Sequence, residues 1–185
     1  LQADFPNRRH QTALWDFVGS CSNLECLSIE ATHFLDLDKL KWLKSAQSRG
    51  LRSLSLSRIW TSISSMQELV RPHTEATNSP QLQCITFSEV KVHTNGGDWY
   101  KFFSYLRNDC PDFVCCKVER LTYFSEHPHF EWNNRISENY NVIWTERGED
   151  WDELRELTRQ LVRKAGGEDL YPETCLECLE CILDD

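Results

Sequence analysis

GLRSLSLSRI, residues Gly50 to Ile59, contains an L-x-x-L-x-L frame at Leu51, Leu54 and Leu56, and this frame recurs. Leu24, Leu27 and Ile29 precede it; Leu82, Ile85 and Phe87, then Phe113, Cys116 and Val118, follow it. The starts at 24, 51, 82 and 113 are 27, 31 and 31 residues apart. A fixed period of this size marks stacked supersecondary units, each burying its apolar face against the next. Within each frame the fourth and sixth positions face inward, because side chains alternate along a strand.

Between frames the pattern changes to a helical one. Trp99, Phe102, Phe103 and Leu106 lie at i, i+3, i+4 and i+7 after an Asn95-Gly96-Gly97 turn, with Asp98 expected as helix cap. Leu37, Leu40 and Leu43 predict a helix running to about Gln47, capped by Asp36 or Asp38, after residues 31–35 turn away from the sheet. Ser65 with Glu68 predicts a capping box for a helix that buries Met66, Leu69 and Val70. Leu14, Phe17 and Val18 mark an earlier helix, and a short fifth strand is expected over residues 140–144. Asp150 is expected to cap a helix burying Leu154, Leu157 and Leu161, and Thr174 a last one through Ile182.

The fold class expected is α/β: a short leucine-rich-repeat solenoid. It would have a curved parallel sheet of four to five strands, helices on the convex side and capping helices at the C-terminal end. The whole chain, 1–185, reads as one domain, with repeat-like units 11–35, 36–62, 63–92 and 93–124 and an irregular remainder 125–185.

The frame also assigns an open face. Across the strands it lines up Cys26, Ser53, Cys84 and Cys115; Ser28, Ser55, Thr86 and Lys117; and Glu30, Ser57, Ser88 and Glu119. Of these, Ser28, Ser55, Ser57, Thr86, Ser88, Lys117 and Glu119 are candidate partner contacts. The columns lack the aromatic and arginine anchors that dominate interfaces. Arg58 and Trp60 beyond the second strand, and Tyr123, Phe124, Phe130 and Trp132 beyond the fourth, supply them at the rim.

Composition narrows the functional classes. The 185 residues carry a net charge of -9, which argues against non-specific binding to nucleic acid or an anionic membrane. No apolar run of 18 residues occurs, so no transmembrane span is expected. The start lacks an initiator Met and the apolar core of a secretory signal, which reads as a processed chain or a fragment. Nine cysteines, an odd number at scattered positions, fit free thiols in cytoplasm or nucleus.

Catalytic motifs are missing: there is no G-x-S-x-G, H-E-x-x-H, P-loop or G-x-G-x-x-G. Cys175, Cys178 and Cys181 have metal-like spacing, but Leu176, Leu179 and Ile182 beside them make a packing helix the better reading. The His127-Pro128-His129 stretch reads as solvated loop. No catalytic, cofactor or metal residue is assigned, and the chain is expected not to be an enzyme.

GSCSNLECLSIE, SRGLRSLSLSRIWTS and VKVHTNGGDWYKFFSYLRNDCP, with the helix EDWDELRELTRQLVRK, resemble the leucine-rich-repeat portion of fungal F-box-type proteins. The resemblance spans about residues 12–164. It implies substrate recognition in a ubiquitin-ligase adaptor, joined to the ligase scaffold through an F-box that would lie upstream of Leu1. A structural or receptor-like repeat domain of a larger assembly, with no ubiquitin link, is the alternative. A cysteine-based metal-binding protein ranks third.

Overall fold

The computed structural model describes residues 11–21, 24–41, 50–71, 82–124, 142–145 and 147–167. Its centre is a parallel sheet of β1 (Cys26–Asp36), β2 (Ser53–Thr61), β3 (Cys84–Val92), β4 (Cys115–Tyr123) and the short β5 (Val142–Trp144), arranged in chain order. The helices are α1 (Thr12–Ser20), α2 (Ile63–Val70), α3 (Trp99–Asp109) and α4 (Gly148–Lys164), with a 3-10 turn at Leu37–Lys39. The protein is thus α/β, with α2 connecting β2 to β3 and α3 connecting β3 to β4, as a parallel arrangement requires.

The expected columns are the observed register: Ser28 pairs with Ser55, Ser55 with Thr86 and Thr86 with Lys117. β2, β3 and β4 start on the same contact. The Glu25, Arg52 and Gln83 carbonyls each accept two amides from the following strand, repeating at the period of the frame. Leu54, Leu56, Ile85, Phe87 and Val118 are buried against the helices. Phe87 stacks on Phe102 of α3, and Trp99 on Phe103. Gly97 (φ +97°) is required between β3 and α3, because a Cβ there would lie 3.0 Å from the Cβ of Ile63.

Simple alternation does not last to the ends of the strands. Arg58, Glu89 and Arg120 occupy the left-handed region at φ +57°, +54° and +52°. Each inserts one extra residue, so the buried phase passes from Leu54 and Leu56 to Ile59 and Thr61, and from Ile85 and Phe87 to Val90 and Val92. β2, β3 and β4 add the residue at the same level, so their pairing keeps one register through the kink, Ser57 with Ser88 and then Ile59 with Val90, while everything beyond it is re-aimed. Each αL position costs a residue with a Cβ about 1–2 kcal/mol. A ladder of charges offsets part of that: Glu89 lies 3.0 Å from both the Arg58 and the Arg120 guanidinium, and Arg120 is 2.8 Å from Glu119.

Several local expectations are corrected. Residues 31–35 do not leave the sheet; β1 continues to Asp36 through an irregularity between Glu30 and Leu35. Of the helix expected up to Gln47, Leu37–Lys39 is a 3-10 turn and residues 42–47 lie outside the described residues; Asp38 serves a different partner from the expected helix amides. Its Oδ1 accepts from the Ser62 amide at 2.8 Å and from the Ser62 and Thr61 hydroxyls. The α2 cap is Ser62, not Ser65, and the Ser65 amide donates to the Ser62 hydroxyl.

Asp98 holds the N-cap position of α3, but its carboxylate pairs with Lys101 and Arg147 in place of the helix amides. Asp150 caps α3 and not its own helix, accepting the Tyr100 amide at 2.8 Å. The helix expected from Thr174 to Ile182 lies outside the described residues.

Candidate functional site

The exposed face of the sheet is built from the residues that the alternation leaves out of the core. Ser28, Lys117 and Arg120 are exposed, while Ser55, Ser57, Thr86, Ser88, Glu119 and Arg58 are half-buried in the crowded strand surface. Before the kink, the central columns consist of hydroxyls flanked by Glu30 and Lys117. At the kink two consecutive residues per strand turn outward, and there the charges concentrate. The Ser88 hydroxyl donates to Glu119, while the Arg58 guanidinium donates to Glu89 and to the Ala31 carbonyl. The result is a fixed stripe, Arg58–Glu89–Arg120, crossing three strands.

Beyond the kink the surface closes over. Trp60, expected to be an exposed rim anchor, is only 3% exposed, which corrects that reading. Alternation does put it on this face, but Phe34 from the β1 irregularity, His93 and Phe124 surround its ring, with centroids 6.4, 5.4 and 4.5 Å away. Lys91 covers the Phe34 ring at 4.4 Å. Phe124 is thereby part of a packed cluster. Phe130 and Trp132 lie outside the described residues.

Tyr123 is committed to an internal network. Its hydroxyl accepts the Trp99 amide at 2.7 Å and donates to Asp150 at 2.8 Å, while the Arg147 guanidinium lies over its ring. Burial and the Asp150 carboxylate raise the phenol above its ordinary range, partly opposed by the Trp99 amide.

At the carboxyl ends of β1 and β3, three residues that the sequence reading did not single out as a site come together. Asp36 ends β1, Asp38 lies in the turn after it, and His93 follows β3. His93 Nε2 is 3.6 Å from Asp36 Oδ1 and 3.4 Å from Asp38 Oδ2. One ligand atom from each residue lies within 4.8 Å of the other two. The D-x-D spacing was the available signal, but it was read as a helix cap.

Three of the described thiols hold their protons tightly. Burial raises Cys110 to about 12, and burial plus the neighbouring Cys115 raises Cys84 to about 11. Fully buried Cys116 is raised as well. A folded thiol that holds its proton more tightly than the unfolded one, ordinarily near 9, favours folding at low pH. That stability is complete below about pH 9 and declines as pH climbs through 11 and 12, with Tyr123 adding to the loss above 10. Under reducing conditions the denaturant midpoint should therefore fall steadily above pH 9; a flat profile to pH 11 would contradict it. In the native state Cys26, which is exposed, should alkylate before Cys110 and Cys116.

No family model, curated protein or solved structure matches this chain. Among the described residues, no helix is long and apolar enough to cross a membrane.

Proposed function

We propose that the chain is a leucine-rich-repeat solenoid acting as a non-enzymatic protein-interaction module. The uncovered face of its sheet, from Ser28 across Ser55 and Thr86 to Lys117, would hold a protein partner. The observation that carries this reading is the regular surface itself: columns of hydroxyls in register, bordered by the charge stripe at Arg58, Glu89 and Arg120. Such a face offers directional hydrogen bonds on a rigid support, as repeat proteins use for recognition. The apolar anchors Trp60 and Phe124 are occupied internally, so specificity rests on polar complementarity and the loops at the rim. Substrate recognition for a ubiquitin ligase is the role that the resemblance to fungal F-box-type proteins suggests for such a surface.

The test compares proteins captured from cells by the intact chain with those captured by Ser55→Trp plus Thr86→Trp. Both positions are half-buried on the sheet face opposite the core, and a bulky indole at each would block a flat partner. Affinity for a partner bound there should drop at least tenfold, about 1.4 kcal/mol. Arg155→Ala on the exposed side of α4 should leave it unchanged. A partner bound equally by all three chains does not use this face.

A further inference from the structure

We propose that Asp36, Asp38 and His93 form a binding site for a divalent transition-metal ion, with Zn2+ as its natural probe. This goes beyond the interaction role and does not depend on it. The ligand set is one imidazole nitrogen and two carboxylate oxygens. Imidazole selects zinc and its first-row neighbours over magnesium and calcium, which prefer oxygen alone.

The spacing fits an ion held between the three groups better than direct contact. A charge-assisted bond from an imidazolium to a carboxylate closes to about 2.7–2.9 Å. Here the two N···O separations are 3.4 and 3.6 Å, and no bond is made. A tetrahedral ion with nitrogen and oxygen ligands at about 2.0–2.1 Å spaces those ligands about 3.3 Å apart.

A second observation comes from Asp36 by itself. Its side chain is 8% exposed, and its buried Oδ1, the atom facing His93, has no hydrogen-bond partner. An unsatisfied carboxylate oxygen in such a place is costly, and a cation removes the cost.

The surroundings keep the ligands oriented. Asp38 uses Oδ1 for the Ser62 amide and leaves Oδ2 towards His93. The Asp36 amide is held by the Gln11 side chain at 2.7 Å. The His93 ring packs edge-on against Trp60, giving the site an apolar wall. Fixing the other contacts of a ligand in this way is what tunes a metal centre. The ion would tie the end of β1 to the end of β3 across β2, and water would complete its coordination.

The experiment titrates the intact, reduced chain with Zn2+ by calorimetry and with Co2+ by absorption spectroscopy, before and after alkylation of accessible thiols. One equivalent should bind after alkylation, and its Co2+ spectrum should lack thiolate charge-transfer bands. Asp38→Asn keeps an oxygen for Ser62 but turns an amide nitrogen, which does not ligate, towards the site. It should weaken binding at least about 100-fold, since loss of a mere outer-shell partner already costs up to that much. His93→Gln should do the same, with the metal-free unfolding midpoint of at least one variant close to wild type. The proposal is overturned if binding disappears on alkylation, if the Co2+ spectrum shows thiolate ligation alone, or if a folded variant binds as tightly as wild type.

Discussion

Replacing Asp150 with Ala should cost about 3–5 kcal/mol, because three donors lose their acceptor at once. Asp150 is 0% exposed, and its carboxylate takes the Tyr100 amide, the Tyr123 hydroxyl and the Thr145 hydroxyl, each at 2.8 Å. Those donors belong to α3, the end of β4 and the segment after β5, so a single side chain joins three elements. An α-helix leaves its first amides without internal partners, and α3 meets that need with Tyr123 for Trp99 and Asp150 for Tyr100. Tyr123→Phe removes one donor to the carboxylate and the acceptor for Trp99, and should cost about 1–2 kcal/mol. Thr145→Val removes a single donor and should cost about 1 kcal/mol. Urea unfolding of the three variants checks the order; an Asp150→Ala loss below about 1 kcal/mol would mean that water replaces the carboxylate.

The behaviour of Asp150 illustrates what the sequence could and could not disclose. Its position three residues before Glu153 suggests a local cap, and sequence rules for helix ends are local by construction. The actual contact spans 50 residues, and no spacing rule reaches that far. The strand register was legible because four apolar frames at a near-constant step leave little freedom in pairing. The kinks were not, since arginine and glutamate carry no signature of positive φ, unlike glycine or asparagine. Position eight of the frames nevertheless reads Arg58, Glu89, Arg120 at the same 31-residue step, a charge alternation visible once its meaning is known. Trp60 was expected at an exposed rim just past the second strand, whereas it lies within β2 and is buried. Its cover comes from Phe34, whose placement depends on the irregularity in β1, and from Phe124, two strands away.

Removing Glu89 altogether should be far more damaging than any exchange at that position, and the contrast tests whether the kink sets the register. Deletion restores plain alternation in β3 and leaves Val90 and Val92, both 0% exposed, facing inward. It slips everything beyond Ser88 by one residue against β2 and β4, which keep their extra residue. The pairings of Val90 with Ile59, Lys91 with Trp60 and Val92 with Thr61 on β2 would be lost, and with them the ladder that holds the ends of the strands together. Each buried ladder group left without its partner costs about 1–3 kcal/mol, and with at least two such groups stranded the deletion should cost about 3–6 kcal/mol.

Glu89→Gly keeps the extra residue. It relieves about 1–2 kcal/mol of αL strain while giving up the contacts to Arg58 and Arg120, each part-exposed. Those two changes oppose one another, so the glycine variant should stay within about 1 kcal/mol of wild type. If the deletion and the glycine exchange unfold at similar denaturant concentrations, the strand slips freely and the kink does not fix its phase. If they differ as expected, the charged stripe on the open face follows from a backbone requirement. Two outward residues per strand are what the kink creates, and Arg58, Glu89 and Arg120 are the side chains placed there.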